Sequence, residues 1–229
     1  MNKHGLPLWD TAWKVTHSDL FHDPKHSTTN RWVYRSPKTG KVMGLVGDMR
    51  FMAAVLLTGD VHVASFSDEE SITIPYKGPK GEALSTHPDF VVDLVGGGKR
   101  LVTTMAKKEQ KATTMARINA LSIAAERAGA THKVIYRDAV NETLFDNWAL
   151  LSARMNCADP GRFDCSHEQR VLSSALESGR DVRLVTLLSG EGVDSARMLS
   201  SLGFALMRGV AKTNLTTALL SLDSIISHN

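Results

Sequence analysis

The stretch that most limits what this chain can become is Thr86-His-Pro-Asp89-Phe-Val-Val-Asp-Leu, followed after a run of glycine by Lys99-Arg-Leu-Val-Thr-Thr-Met-Ala-Lys107. Phe90 to Val95 alternates as a strand does, Gly96-Gly97-Gly98 supplies a turn, and Leu101 to Met105 returns. The pattern predicts a β-hairpin with an aspartate at the start of its first strand, directly after Pro88.

The flanking segments read as a mixed α/β core. From Asp48 to Leu57, Met49, Phe51, Met52, Val55 and Leu56 recur at helical spacing, and Gly59 stops the run. Val61–Phe66 and Ser71–Pro75 are short strands, separated by the acidic turn Asp68-Glu69-Glu70. Pro79 and Gly81 mark a loop before the hairpin. Ala112–Ala128 is a helix with Met115, Ile118, Leu121, Ile123 and Ala125 on its apolar face, Gly129 ends it, and Lys133–Tyr136 is a further strand. A helix, three strands, a helix and a strand place the sheet in the middle.

The composition changes near residue 140. Leu144–Met155 reads as a helix and residues 156–161 as a loop. Short helices follow at His167–Ser178, Val182–Leu188 and Val193–Leu202. Leu206–Val210, with Gly209, and the apolar tail Leu215–Ile226 complete a pattern that fits a winged helix-turn-helix, with a helical dimerisation module as the bland alternative. In the winged-helix reading Val193–Leu202 is the second helix of the pair, and Asp194, Ser195 and Arg197 lie towards its N-terminal end. Residues 1–40 read as a polar, irregular arm whose Trp9, Trp13 and Trp32 pack onto something. The expected organisation is therefore an arm over 1–40, an α/β core over 41–140 and a helical, winged-helix-like domain over 141–229.

Composition mainly excludes. A chain of 229 residues with 42% hydrophobic and 22% charged residues can bury one large core or two modest ones. No apolar run reaches the roughly 18 residues needed to span a bilayer, and Met1-Asn-Lys-His-Gly leads into no signal-peptide core. These readings set the cytoplasm as the default location and exclude a membrane partner. Cys157 and Cys165 make no disulfide framework. With His167 and Asp159 or Asp164 they are weak as a metal set, and free thiols are the better reading. His17, His22 and His26 fit no common zinc spacing. A net charge of +3 and a pI near 8.9 permit nucleic-acid binding without arguing for it.

Over roughly residues 30–226 the chain resembles the TnsA-like endonuclease subunit of heteromeric transposases, a PD-(D/E)xK nuclease core followed by a winged-helix-like domain. The resemblance rests on Arg35-Ser-Pro-Lys-Thr-Gly40, Gly59-Asp-Val-His-Val-Ala-Ser-Phe66 continuing into Ser67-Asp-Glu-Glu70, His87-Pro-Asp-Phe-Val-Val92 and Arg208-Gly-Val-Ala, in that order. It implies a restriction-endonuclease-like mixed sheet. It also implies a site built from a Glu on the first helix, the hairpin Asp and a Glu-x-Lys on the return strand. Such a site holds Mg²⁺ by hard oxygen ligands and sets a lysine beside the attacking water.

Only part of that set is present. Asp89 supplies the hairpin acid and is the one remnant metal ligand. The helix Glu falls near Arg50, with Asp48 the nearest carboxylate. The strand Glu falls on Thr103 or Thr104, and the lysine on Met105 or Ala106. Two rescues are conceivable: a bulge in the return strand that swings Lys107 inward with Glu109 beyond it, or a shifted helix register that brings in Asp48. The cations Lys99 and Arg100 at the hairpin tip, and Lys107, Lys108, Lys111 and Arg117 leading into the helix, are candidate phosphate contacts. The lysines before the helix oppose its dipole, which favours an anionic partner over a merely solvated face. Arg197 is the candidate base or phosphate reader of the C-terminal helices.

The sequence thus leads to the expectation of a DNA-binding nuclease-fold protein with degenerate chemistry, working in a mobile-element or phage nucleoprotein complex. It would need no cofactor. The alternatives are an active Mg²⁺-dependent endonuclease subunit and a DNA-binding transcriptional regulator. DNA, a transposase or other protein subunit, and a second copy of the chain are the partner classes left in play.

Overall fold

The computed structural model of the chain describes residues 29–68, 72–108, 111–157 and 164–229. The expectations for Trp9, Trp13, His17, His22, His26, Glu69, Glu70, Glu109 and Asp159 lie outside these residues.

The described chain begins with an antiparallel hairpin, β1 (Arg31–Arg35) against β2 (Val42–Val46). The sequence reading expects an irregular arm to residue 40. That boundary instead falls inside the hairpin turn, where the Gly40 amide bonds the Ser36 carbonyl at 2.8 Å and Gly40 takes a φ of 67°. Helix α1 (Asp48–Gly59) follows, with Met52, Ala53, Ala54, Val55 and Leu57 buried. Its burial is wider than the single stripe the spacing predicts. Trp32 stacks on Phe51 at 4.3 Å, and Phe145 meets the same ring edge-on at 6.0 Å, so the helix is flanked on two sides.

Four strands form the central sheet: β3 (Val63–Ser67), β6 (Phe90–Leu94), β7 (Lys99–Met105) and β8 (Thr131–Tyr136), in the order β3-β6-β7-β8. The first three run antiparallel to one another. The β7–β8 pair is parallel, which requires a crossover, and α2 (Ala112–Arg127) supplies it. Between β3 and β6 the chain inserts a separate hairpin, β4 (Ile74–Lys77) with β5 (Ala83–Thr86). The expected strand Ser71–Pro75 is displaced towards residue 77, and β5 stands where a loop is expected. Strand alternation divides the sheet's faces. Phe90, Val92 and Val102 join the core that contains α1, whereas Leu101 packs with Leu121 and Ala125 of α2.

Beyond the 3₁₀ turn Arg137–Ala139 come α3 (Glu142–Cys157), α4 (Ser166–Glu177), β9 (Val182–Arg183), α5 (Leu184–Leu188), α6 (Ser195–Met207), β10 (Ala211–Lys212) and β11 (Ile225–His228). The last strands form a small antiparallel sheet in the order β10-β11-β9. The predicted helix Val193–Leu202 starts two residues later and runs on to Met207. The Asp194 carboxylate caps it by accepting from the Arg197 amide at 2.9 Å. One apolar core joins both halves: Ala54, Val55, Leu151, Met155, Met198, Leu202 and Ile226 belong to the same buried cluster. Among the described residues no helix is long and apolar enough to cross a membrane.

The junction of the halves is tight at Gly59. A Cβ built there would lie 2.2 Å from the Trp148 ring, which is itself buried. Gly59→Ala gains up to about 1 kcal/mol of helix propensity, but the overlap with the buried indole ring outweighs it. The variant is expected to lose about 1–3 kcal/mol net. Urea titration should show a lower midpoint at unchanged slope.

Candidate functional site

Asp89 sits where the sequence places it, at the mouth of the β6–β7 hairpin, with its amide bonded to the Val102 carbonyl at 2.8 Å. One oxygen of its carboxylate is hydrogen-bonded and the other faces a cation. Oδ2 accepts from the Thr104 amide at 2.5 Å and from the Thr104 hydroxyl at 2.8 Å. Oδ1 faces Arg50 of α1, whose Nε lies 3.7 Å away, with side chains only 17% and 13% exposed. Arg50 Nη2 also donates to the Asp89 carbonyl at 3.2 Å, and the guanidinium lies over the Phe90 ring at 5.9 Å. Arg50 Nε has no hydrogen-bond partner of its own, so the attraction there is coulombic. The position where a helix carboxylate is expected thus carries the opposite charge, and the aspartate meets an internal cation. Sequence reading identified Arg50 only as a missing acid. The signal available was that an arginine one turn into a helix is itself a carboxylate partner.

Neither rescue of the acid set takes shape among the described residues. The β6–β7 ladder keeps an unbroken register from Phe90↔Val102 to Asp93↔Lys99, and the irregularity falls one strand away, between Val63 and Ser65. Lys107 is exposed beyond the strand end. Asp48 is held by other groups: its Oδ1 accepts from Asn30 Nδ2 and from Trp32 Nε1, both at 2.9 Å. Those two donors hold its carboxyl below the usual range.

The candidate cations separate into groups. Lys107, Lys108 and Lys111 are all exposed at the end of the sheet that carries Asp89. Lys99 and Arg100 lie at the opposite end, because a hairpin tip and its mouth are a strand length apart, about 17 Å for such strands. Lys99 pairs with Asp93 at 2.6 Å. Arg117 points at the neighbouring hairpin and donates from Nε to Thr86 Oγ1 at 2.9 Å. Of these candidate cations, the three lysines share the Asp89 end as an exposed set.

Arg197 is half-buried and donates to the Asp164 carbonyl at 3.2 Å. Past it, α6 buries Met198, Ser200, Ser201, Leu202, Gly203, Leu206 and Met207. Gly203 faces Met155 of α3 so closely that a Cβ would lie 2.9 Å from its side chain. The loop between β10 and β11 is also tied to α3, through Asn147, which donates to the Leu215 and Ala218 carbonyls at 2.9 and 2.8 Å and accepts from the Leu220 amide at 2.7 Å. Cys157 and Cys165 are free thiols, and His167 Nε2 lies 3.1 Å from the Glu191 carbonyl. Burial pushes the Cys165 thiol up. Among the described residues no cluster of His, Cys, Asp and Glu gathers as a metal site.

Thr103, one of the positions expected to hold the strand acid, lies fully buried on the other face of β7. Its hydroxyl is 3.0 Å from His132 Nε2, and Ser122 Oγ of α2 is 2.9 Å from His132 Nδ1. This hydroxyl–imidazole–hydroxyl chain ties β7, β8 and α2 together and was not legible in the sequence. Comparison with known protein families and with curated proteins finds no match for the chain.

Burial, with the charge of Arg117 adding to it, lowers the His132 pKa. A histidine kept neutral in the fold binds fewer protons than its unfolded counterpart below the ordinary value of about 6.5. Its contribution to stability is therefore complete above that pH and is lost progressively as the pH falls towards the lowered folded value. Urea titrations across pH 5–7.5 should show this decline. His132→Asn should flatten it.

Proposed function

We propose that this protein is a DNA-binding member of the nuclease-fold type in which an internal ion pair replaces the metal site, and that it serves a nucleoprotein complex of a mobile element or phage. The observation that carries the reading is Arg50 beside Asp89. Two carboxylates sharing a site need a cation between them, and Mg²⁺ supplies it in a hard, oxygen-rich shell. Here the guanidinium supplies the positive charge and the Thr104 donors take the other oxygen, so the aspartate needs no ion to be stable. The order of the core supports the scaffold half of the reading: a helix, antiparallel strands with the aspartate at the mouth of the hairpin, a crossover helix and a parallel strand.

DNA binding rests on Lys107, Lys108 and Lys111, three exposed ammonium groups within five residues at the Asp89 end. They sit ahead of the α2 N-terminus, whose partial positive charge they reinforce instead of offsetting. A polyanionic backbone relieves that repulsion and releases counterions. The regulator reading is less well supported, because it asks α6 to enter a groove while α3 lies against it.

The decisive experiment incubates the protein with supercoiled plasmid in Mg²⁺ or Mn²⁺ and follows a gel-shift titration across salt. The expected result is DNA retention without nicking. Combined Lys107→Ala, Lys108→Ala and Lys111→Ala should weaken binding alike on all sequences and flatten the slope of log K against log salt by about 0.9 per lost phosphate contact. Nicking that disappears in Asp89→Ala would instead establish a working endonuclease. A second measurement addresses the ion directly. Calorimetry with Mg²⁺ should show no saturable site, and a micromolar site abolished by Asp89→Ala would overturn the ion-pair reading.

A further inference from the structure

Lys38 sits in the turn between β1 and β2, half-buried. Its Nζ donates to the Leu57 carbonyl at 3.3 Å and to the Asp60 carbonyl, so the side chain closes off the C-terminal end of α1. The same residue lines a cavity of about 560 Å³, with Thr39 and Lys41 of its own turn, Ser65 and Ser67 of β3, and Ile72 beyond that strand. This volume falls in the range of small-molecule sites.

Two carbonyl acceptors suit one protonation state of an amine. An ammonium group has three hydrogens to place, whereas a neutral amine has two hydrogens and a lone pair. With both hydrogens on Leu57 and Asp60, the lone pair is turned away from the helix end and towards the space that the residue lines. The charged groups nearby are engaged elsewhere. Across the cavity Asp93 is bonded by Lys99 at 2.6 Å and by Ser65 at 2.7 Å. Arg35 and Lys41 of the same hairpin, and Asp68 after β3, have interactions of their own. Burial lowers the Lys38 pKa to about 8, against the charge of Asp60 and the negative end of α1, which favour the ammonium form.

We infer that Lys38 is a nucleophilic lysine that takes an acyl group from a small, uncharged thioester seated in this cavity. A desolvated lysine is one of the nucleophiles that proteins activate by favouring the neutral amine. The Nζ lone pair adds to the thioester carbonyl carbon. The C–S bond breaks, the thiolate leaves, and it takes up the proton that the nitrogen releases, so the products are an amide and a thiol. A thioester suits this amine because its leaving group departs without acid assistance. An uncharged donor suits a cavity whose lining carboxylate is already paired and whose lining includes Ile72 and Val91. The acylated residue keeps one N–H and no charge. One of the two carbonyls then loses its donor, and the end of α1 loses its cation beside Gly59, over which Trp148 closes.

The test exposes the full chain to S-acetyl-N-acetylcysteamine between pH 7 and 9.5 and follows each lysine by peptide mass spectrometry. At pH 8 about half of the Lys38 amines are neutral, against about 0.4% of an ordinary lysine. A weaker base is also a weaker nucleophile, so the expected result is acetylation of Lys38 about tenfold faster than of the exposed Lys80 and Lys212. The Lys38 rate should level off by about pH 9 while the rates at Lys80 and Lys212 go on rising. The advantage should vanish in concentrated urea, where nothing desolvates the amine. Lys38→Arg, which keeps a cation at the helix end, should remove the fast site and leave the other lysines unchanged. Lys38 acetylated no faster than Lys80 and Lys212 in the folded protein overturns the inference and leaves a lysine that only caps α1. A rate advantage that survives in urea overturns it too, since it would then come from the local sequence and not from the fold.

Discussion

Helix α3 is the element on which the arrangement of this protein depends, because it has to be buried on more than one side. Trp148 closes over Gly59 at the end of α1, Phe145 meets Phe51, and Met155 reaches Gly203 of α6. Each contact needs a small residue or an aromatic edge at one place, and glycine is the residue that permits such close approach. Asn147, 2% exposed, satisfies three backbone groups of the β10–β11 loop from the same helix. A buried amide with all these partners rigidifies what it touches, since leaving any of them unpaired would cost the full desolvation of that group. The sheet half and the C-terminal half are therefore continuous through one core and share their stability.

The ion pair of Arg50 with Asp89 is the second constraint. Both side chains are largely removed from solvent, so their attraction is offset by the cost of desolvating them. Hydrogen bonds decide the balance. The two Thr104 donors satisfy Asp89 Oδ2 and the Arg50 bond satisfies the Asp89 carbonyl, whereas buried Arg50 Nε has no hydrogen-bond partner and meets Oδ1 only across 3.7 Å. The pair fixes the end of α1 against the hairpin mouth.

Charge is distributed unevenly along the chain. Residues 164–229 contain six arginine or lysine residues against seven aspartate or glutamate residues, so the C-terminal unit carries no basic footprint. The exposed lysines Lys107, Lys108 and Lys111 gather instead at the Asp89 end of the sheet. The second cationic concentration, at the hairpin tip, is folded around Asp93 and shaped into a cavity wall. A basic balance spread over the whole chain resolves into two local features: an exposed edge and a cavity wall.

The β6–β7 hairpin and the two sheet-flanking helices were legible in the sequence because each follows from local rules: β-branched alternation, glycine punctuation, and apolar residues at helical spacing. The aspartate at the hairpin mouth was legible for the same reason. Partners across the sheet were not, since nothing local in Arg50, Thr104 or His132 says which residue it will meet. The β1–β2 hairpin was hidden by polar, loop-like composition, although Ser36-Pro-Lys-Thr-Gly40 carried a turn signal. Strand geometry separated Lys99 and Arg100 from Lys107, and that required only that a hairpin has two ends. Local sequence thus determined the elements and the position of Asp89. Only tertiary packing decided that its neighbour is a cation, that α6 lies against α3, and that a cavity opens between the β1–β2 turn and strands β3 and β6, because each of these depends on surfaces brought together from distant parts of the chain.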